Sequence, residues 1–282
     1  MPELPEVEHI RQGLDAFLPG RRIERVVITW PGVLATHTPE AFAQTVQDLV
    51  FGPVSRRGKY LILSLPPYHL LIHLRMTGRI LASDSTDLEW EDHPHVRAIF
   101  CLDGGARLYF RDLRKFGRIS LVADAESIVG SLGPEPLEAA FSLDRFSQTL
   151  SKHHRQLKPL MLDQRTIAGL GNIYVDEVLW LAGLHPLRRS DTLQDSEVRV
   201  LYAALHSVLG EAVRHGGTTL RDYRGADDRA GTHQNALSAY GRTGLPCPRC
   251  STPIVRIVVG QRGTHLCPAC QQDPSHLEVN HE

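Results

Sequence analysis

Apolar residues in the first half of the chain come in short runs separated by Gly, Pro and Asp, a pattern that predicts β-strands joined by turns. The runs are too short for helices, and their close spacing is typical of an antiparallel sandwich or barrel. They cover residues 26–28, 60–63, 70–72, 96–102 and 108–110.

A three-four repeat of apolar residues predicts helices near the N-terminus and in the second half. The first helix has Pro5 in its opening turn, where proline is favoured. Residues 143–215 are helical in pattern, and the last helix stops at Gly216 and Gly217. The apolar faces consist of Val7, Ile10, Leu14 and Phe17 in the first helix, and of Val198, Leu201, Leu205, Val208 and Ala212 in the last.

These patterns predict an α+β multidomain fold, since 282 residues suffice for two hydrophobic cores. A Gly-Pro-Glu-Pro stretch separates the β-rich half from the helical half and is interpreted as a linker. The predicted segments are an N-terminal β domain (1–132), a linker (133–142), a helical domain ending in a loop (143–246), a cysteine module (247–270) and a disordered polar tail (271–282).

The composition is that of a globular protein, with 42% hydrophobic and 22% charged residues and a formal net charge of −1. Because no overall field attracts nucleic acid, any polyanion must be bound by local basic clusters. Glu3, Glu6 and Glu8 occupy the place where a signal peptide is basic. No apolar run is long enough to span a membrane. We therefore expect a cytoplasmic protein that does not bind membranes.

Four of the five cysteines form two Cys-x-x-Cys pairs that are separated by sixteen residues. This spacing is typical of structural zinc sites, in which four thiolates surround one Zn²⁺ and leave no open position. The sequence therefore predicts one structural zinc ion. Its ligands are Cys247, Cys250, Cys267 and Cys270, and the fifth cysteine, Cys101, lies in a strand-like run and is interpreted as core.

The first six residues, MPELPE, carry the most specific chemistry. Removal of Met1 would give Pro2 a free secondary amine, and an α-amino group titrates near about 8. Attack of this amine on an anomeric carbon forms a permanently charged iminium, and the positive end of the following helix would lower the pKa of the amine. Glu3 and Glu6 are close enough to shuttle protons. The alternative is an ordinary Met-Pro start with a Pro-Glu helix opening.

Basic clusters with few acids are candidate contacts for a polyanion. Residues 107–118 contain five basic residues and one acid around Phe116, a combination that suits a wedge inserted into a duplex. Met76 follows a strand in a turn, and Lys59 begins a strand. The alternatives are that Phe116 and Met76 are core residues and that Lys59 is solvated.

Further candidates lie in the second half of the chain. The turn GLGNIY at 169–174 opens a helix, so its backbone N–H groups and Asn172 could bind phosphate. Arg262 lies near the tip of a hairpin between the cysteine pairs, in a stretch with four arginines and no acid from 242 to 270. The basic patch 152–158 is interpreted as a solvated face. His73 and His93 are interpreted either as phosphate contacts or as core histidines.

Together these motifs resemble the formamidopyrimidine-DNA glycosylase family, which contains bacterial 8-oxoguanine repair enzymes. The resemblance covers residues 2 to about 270 and includes both halves of the chain. Its motifs are PELPEVE (2–8), GKYL (58–61), HL (73–74), MTG (76–78), KFG (115–117), GPEPL (133–137), GLGNIY (169–174) with DE (176–177), GGTTL (216–220), YGR (240–242) and the cysteine module.

The resemblance implies an N-terminal β-sandwich flanked by helices, a helix–two-turn–helix domain and a C-terminal zinc β-hairpin finger. It implies a monomer that binds double-stranded DNA containing damaged bases or abasic sites, in the bacterial cytoplasm and associated with the nucleoid. The implied roles are Pro2 as nucleophile, Glu3 as proton donor to the sugar, Lys59 near the lesion, Arg262 and Asn172 on phosphates, Met76, Arg114 and Phe116 as the gap-filling wedge, and His73, His93 and His154 as DNA contacts.

By the same resemblance, Pro2 displaces the damaged base, and successive β- and δ-eliminations then cut the strand on both sides. Two alternatives remain open: an endonuclease VIII-like enzyme for oxidised pyrimidines, and a non-catalytic zinc-finger protein that binds nucleic acid. Leu4 and the wedge set favour the purine branch. Three departures from the family pattern stand out: Arg75 in place of glycine, His154 in place of lysine or arginine, and the loop 221–236, which lacks the family's usual aromatic pattern.

Overall fold

In the computed structural model, which describes residues 1–220 and 223–273, the predicted short strands form two antiparallel sheets of four strands each. The strands are β1 (Ile23–Ile28), β2 (Val54–Arg57), β3 (Tyr60–Leu65), β4 (Tyr68–His73), β5 (Gly78–Ser83), β6 (Val96–Leu102), β7 (Arg107–Asp112) and β8 (Arg118–Val122). Their order is β1-β6-β7-β5 in one sheet and β2-β3-β4-β8 in the other.

The two sheets pack face to face around one hydrophobic core, which confirms the predicted β-sandwich. Leu61 and Leu63 of β3 belong to the same buried cluster as Ile80 of β5 and Phe100 of β6. Alternate residues of β3 are buried, as expected for a strand with one face on the core. The sandwich therefore gives a rigid base for the turns that connect its strands.

Helices flank this sandwich, as the resemblance implies. The first helix buries Val7, Ile10 and Leu14 in the core of the sandwich, in agreement with the predicted apolar face. Thr38 caps the second helix by accepting a 3.3 Å hydrogen bond from the backbone N of Ala41. The helices are α1 (Leu4–Phe17), α2 (Pro39–Val46), α3 (Leu88–Glu91) and α4 (Glu126–Val129).

The second half of the chain contains helices followed by a two-stranded hairpin. The 20-residue helix α8 buries the predicted apolar positions, and no helix within the described ranges is long and apolar enough to cross a bilayer. The elements are α5 (Leu143–Ser151), α6 (Leu157–Leu162), α7 (Asn172–Ala182), α8 (Asp195–Arg214), β9 (Val255–Val259) and β10 (Arg262–Leu266).

The chain forms two compact units. The first contains residues 1–131 and 213–234, and the second contains residues 132–212 and the chain from Asn235 onward. Residues 213–234, which the sequence analysis assigned to the helical domain, thus group with the sandwich. Most of the predicted tail lies outside the described residues, but Gln271 is fully buried and its side chain binds Cys267 N and Leu184 O.

Candidate active site and nucleic-acid interface

The predicted nucleophile Pro2 is buried immediately before α1, and Glu3 is the residue that caps this helix. Glu3 is 2% exposed, and its backbone N donates a 2.7 Å hydrogen bond to Glu6 Oε2 within a capping box. The partial positive charge of the helix N-terminus therefore lies next to Pro2, as the sequence predicts.

The carboxylate of Glu6, which the sequence offers as a proton shuttle, is held by two backbone N–H groups. Its Oε1 accepts a 2.7 Å hydrogen bond from Thr218 N, while Oε2 holds Glu3 N. The hydroxyl of Tyr223 lies 3.2 Å from the carbonyl oxygen of Glu6 and 3.0 Å from that of Gly216. Glu6 therefore joins the start of α1 to the segment that follows α8, a connection that sequence reasoning missed.

Lys59 lies in the two-residue turn between β2 and β3 and is 7% exposed. Gly58 precedes it with φ +56, a left-handed conformation that glycine adopts freely. In the adjacent strand, Arg56 Nε is 3.0 Å from Glu8 Oε2 of α1. This ion pair fixes the Lys59 hairpin to the helix that begins beside Pro2.

His73 ends β4, where it pairs with Tyr60, the residue after Lys59. Burial, followed by the positive charges of Arg75 and Lys59, lowers the pKa of His73 to about 3. Nδ1 of the neutral ring accepts a 3.0 Å hydrogen bond from Arg75 N, so the ring proton is on Nε2. His73 therefore offers a neutral N–H donor beside two cations.

The three predicted wedge residues lie together on two neighbouring turns. Met76 and Phe116 are 45% and 46% exposed, so neither is the core residue of the alternative interpretation. Arg114 contacts both, because its Nη1 is 3.1 Å from Met76 Sδ and its guanidinium lies 4.7 Å from the centre of the Phe116 ring. Two exposed apolar side chains are thus joined by one cation.

Asp112 organises these two turns, a role that the sequence analysis did not assign. It is 1% exposed, and its Oδ1 accepts hydrogen bonds from Thr77 Oγ1 (2.5 Å) and Arg114 N (3.2 Å). Its Oδ2 accepts a 2.7 Å hydrogen bond from Gly117 N. The signal available in the sequence was its position as the single acid in the basic run 107–118.

The two remaining histidines lie in different surroundings. His93 is half-buried, its Nδ1 accepts a 3.0 Å hydrogen bond from His95 N, and burial lowers its pKa. The His154 side chain is 71% exposed and its Nδ1 lies 2.9 Å from Asp191 Oδ2. Hydrogen bonds from Arg189 and then His154 lower the pKa of Asp191. His154 is therefore a surface group that pairs with an acid.

In the second unit, the turn asparagine is bonded to the hairpin that carries Arg262. Arg262 is exposed and follows the two-residue turn 260–261 between β9 and β10. Asn172 Nδ2 donates a 2.9 Å hydrogen bond to the carbonyl oxygen of Gly263. Its buried Oδ1 has no hydrogen-bond partner among residues 1–220 and 223–273. The two predicted phosphate contacts of this unit, Asn172 and Arg262, are thus connected by a hydrogen bond from the start of α7 to the β9–β10 hairpin.

A buried ion pair supports this connection and corrects one interpretation. Lys158 is fully buried, although the sequence analysis read residues 152–158 as a solvated face. Its Nζ lies 2.6 Å from Asp176 Oδ1 and 3.2 Å from the carbonyl oxygen of Gly263. Asp176 Oδ2 accepts a 2.9 Å hydrogen bond from His265 N. The pair therefore links α6, α7 and β10.

The four module cysteines form a metal-binding cluster, as predicted. Their sulfur atoms all lie within 4.8 Å of one another, and Cys250 Sγ is 3.4 Å from both Cys267 Sγ and Cys270 Sγ. Zn–S bonds of about 2.3 Å in a tetrahedron place sulfur atoms about 3.8 Å apart, so the cluster fits one structural zinc ion. Trp180 Nε1 donates to Cys247 Sγ at 3.4 Å, as outer-shell donors to thiolates do.

Three family models match the chain, and together they cover most of it. Residues 1–119 match the formamidopyrimidine-DNA glycosylase N-terminal domain, and residues 132–224 match the formamidopyrimidine-DNA glycosylase H2TH domain. Residues 244–272 match the zinc finger found in FPG and IleRS.

Curated relatives and solved structures agree with these models. Formamidopyrimidine-DNA glycosylase of Herpetosiphon aurantiacus is 47% identical over 275 residues, which is 96% of this chain and 100% of the relative. A mutant Lactococcus lactis FPG bound to Fapy-dG-containing DNA is similar in structure, with a TM-score of 0.89 and 36% identity over 96% of this chain and 100% of that one. Lactococcus lactis Fpg bound to abasic-site DNA has a TM-score of 0.88 and 35% identity over the same shares.

Proposed function

This chain belongs to the formamidopyrimidine-DNA glycosylase family, and we propose that it excises oxidised purines from DNA and cleaves the strand at the resulting abasic site, with Pro2 as its nucleophile. The observation that carries the proposal is the position of Pro2, which is buried next to Glu3, the equally buried residue that caps the start of α1. Met1 is 52% exposed, so the terminus is open to an aminopeptidase.

The reaction proceeds through a covalent bond between the terminal nitrogen and the sugar. The secondary amine of Pro2 attacks the anomeric carbon, the bond to the damaged base breaks, and Glu3 donates a proton as the sugar ring opens. The resulting iminium withdraws electrons and acidifies the neighbouring sugar carbon. Loss of that proton drives β-elimination of one phosphate, and a second elimination releases the other. Water then adds to the carbon–nitrogen double bond of the iminium, so the sugar remnant leaves as an aldehyde and the secondary amine of Pro2 is regenerated.

Access to the sugar requires the damaged nucleotide to leave the stack, which costs a few kcal/mol. Met76, Arg114 and Phe116 fill the gap as one preassembled wedge, which is supported by the contacts of Arg114 with the other two residues. Lys59 and His73 bind phosphates near the lesion. Asn172 and Arg262 bind further phosphates, and His93 and His154 add contacts. The enzyme acts as a monomer on double-stranded DNA, in the cytoplasm at the bacterial nucleoid.

Borohydride trapping on abasic-site DNA tests the proposed nucleophile. Arg11 is the first lysine or arginine of the chain, so trypsin releases residues 2–11 as one peptide, and the reduced sugar should be attached to that peptide. Intact mass should show that Met1 is absent, and Pro2→Gly should trap far less DNA. Attachment at Lys59, or undiminished trapping by Pro2→Gly, would overturn the proposal.

The lesion preference is tested by comparing excision of 8-oxoguanine opposite cytosine with excision of thymine glycol. We expect the purine lesion to be preferred, because the relatives are formamidopyrimidine-DNA glycosylases and one solved relative holds a Fapy-dG lesion. Dominant thymine glycol activity would instead favour the endonuclease VIII-like alternative. Tight binding of lesion DNA without excision or trapping would favour the non-catalytic zinc-finger alternative.

A further inference from the structure

A basic residue with strained backbone geometry lies directly beside the wedge. Arg75 has φ +54, a left-handed conformation that is unfavourable for any residue with a Cβ atom. It precedes Met76 in the turn that connects β4 with β5, and it is exposed. Strain of this kind is concentrated at functional sites, where the surrounding structure maintains it.

The turn fixes the backbone of Arg75 and leaves its side chain in solvent. Gly78 N donates a 3.0 Å hydrogen bond to Leu74 O across the turn, and Arg75 N donates to His73 Nδ1. Within residues 1–220 and 223–273, the hydrogen bond of Arg75 is that of its backbone N, and no hydrogen bond or ion pair joins its guanidinium to another residue. The backbone is therefore held while the charged group remains available to a ligand.

Lys115 offers a contrast within the same wedge. It also has a positive φ, +59, and it lies between Arg114 and Phe116. Its ammonium group, however, lies 5.6 Å from the centre of the Trp30 ring, so its charge already has a contact within the protein. Arg75 has the same backbone strain without such a contact.

The charge around Arg75 selects an anionic ligand. Arg75 is bonded through its backbone to the His73 ring, and Lys59 directly precedes Tyr60, the cross-strand partner of His73, so both positive charges lie near this ring and lower its pKa. His73 stays neutral there and can donate from Nε2. Two cations and a neutral donor together suit a phosphate, and a duplex presents phosphates at regular spacing on either side of the wedge.

We propose that Arg75 binds a backbone phosphate of the DNA next to the gap that Met76 fills, an inference that rests on the proposed function. The guanidinium donates two parallel N–H groups to the phosphate oxygens. Such a contact sets the position of the wedge on the duplex without reading its sequence. The left-handed backbone at Arg75 directs the side chain away from the sandwich and towards that phosphate.

Four variants separate the charge of Arg75 from its backbone strain. Arg75→Gln removes the charge and keeps the strain, Arg75→Lys keeps both, and Arg75→Gly removes both. Arg199→Gln is the matched control, because Arg199 of α8 is exposed and also has no hydrogen bond or ion pair to the described residues. Binding to a duplex with a tetrahydrofuran abasic analogue is measured over a range of salt concentrations.

The slope of log affinity against log salt should flatten by about 0.9 in Arg75→Gln and Arg75→Gly, and it should stay at the wild-type value in Arg75→Lys and Arg199→Gln. Arg75→Gly should also raise Tm by roughly 2–4 °C, because the left-handed strain is relieved. A variant that is more stable yet binds DNA less tightly cannot be explained by damage to the fold.

A second measurement identifies the phosphate. A neutral methylphosphonate placed at single positions around the gap should weaken binding by wild type at one position and leave Arg75→Gly unaffected there. That position shows whether the damaged or the complementary strand is bound. Equal salt slopes in wild type and Arg75→Gln, or no methylphosphonate position that distinguishes them, would overturn the inference. Failure of wild type itself to bind the abasic duplex would instead overturn the proposed function.

Discussion

The buried pair of Lys158 and Asp176 gives a prediction whose size follows from its geometry. Both side chains have no exposed surface, and Lys158 Nζ lies 2.6 Å from Asp176 Oδ1. Asp176→Asn keeps the shape and one oxygen acceptor but removes the counter-charge. The buried lysine then loses the charge with which it is paired, and breaking a buried pair in this way costs about 3–5 kcal/mol.

Deprotonation of the lysine limits this penalty. An ordinary lysine has a pKa near 10.4 and each pH unit corresponds to about 1.36 kcal/mol, so neutralising it at pH 7.5 costs about 4 kcal/mol. At pH 9 the same calculation gives about 2 kcal/mol. The unfolded variant then binds a proton that the folded variant lacks, so its stability rises with pH. In wild type the Asp176 carboxylate pairs with the ammonium group, so this particular proton release on folding does not arise.

The free energy of unfolding is measured by urea denaturation at pH 7.5 and pH 9. Circular dichroism monitors the unfolding, and zinc is present throughout. Asp163→Asn is the matched control, since Asp163 pairs with Arg155 at 2.8 Å but the two side chains are 33% and 44% exposed. Asp163→Asn should lower the free energy of unfolding by at most about 1 kcal/mol. Arg155 lowers the pKa of Asp163, so that contribution disappears only in acid and is constant from pH 7.5 to pH 9. A loss below about 1 kcal/mol for Asp176→Asn, or a loss independent of pH, would refute the electrostatic reasoning.

Two further predictions concern the N-terminal site and the zinc module. Gly217→Ala places a Cβ 2.7 Å from Glu6 Oε1 and should slow base excision at least about tenfold, since a misplaced active-site group costs that much or more. Gly20→Ala is the control, because Gly20 also has a positive φ of +86 but an added Cβ would meet no atom within 4 Å. This variant should leave the excision rate unchanged. Equal excision rates for the two variants would count against the role of Glu6. Removal of zinc by a chelator should abolish DNA binding. It should also change the fluorescence of Trp180, because Trp180 Nε1 is 3.4 Å from Cys247 Sγ. The same fluorescence change in Trp180→Phe would contradict its assignment to Trp180.

Periodicity and ligand spacing predicted the features that depend on residues close in sequence. The apolar face of α1, the short strands of the sandwich and the end of α8 at Arg214, just before the left-handed Gly216, all follow from local pattern. The zinc cluster follows from two Cys-x-x-Cys pairs, because each pair already brings two sulfur atoms together. The wedge came from the resemblance, since Met76 and Phe116 lie 40 residues apart and no local pattern relates them.

Buried polar partners could not be predicted, because a charged residue has the same local pattern whether it is solvated or paired in the interior. Lys158 lies in a basic stretch, and only the fold shows that Asp176 and the hairpin enclose it. Glu6 lies beside Glu3 in a helix opening, and its bond to Thr218 joins residues 212 positions apart. Asp112 was visible as a lone acid, but its hydrogen bonds depend on how two turns meet.

The contacts of Arg114 with Met76 and Phe116 have a consequence for how the enzyme searches a genome. A repair enzyme inspects very many intact base pairs for each damaged one, so the time it spends on each pair limits its rate of discovery. On the proposed function, these three side chains are the probe, and in the free protein Arg114 already lies 3.1 Å from the sulfur of Met76 with its guanidinium 4.7 Å from the centre of the Phe116 ring. The three side chains then need not be brought together at each base pair, and we expect the pause at each step to depend on how readily the base pair itself opens.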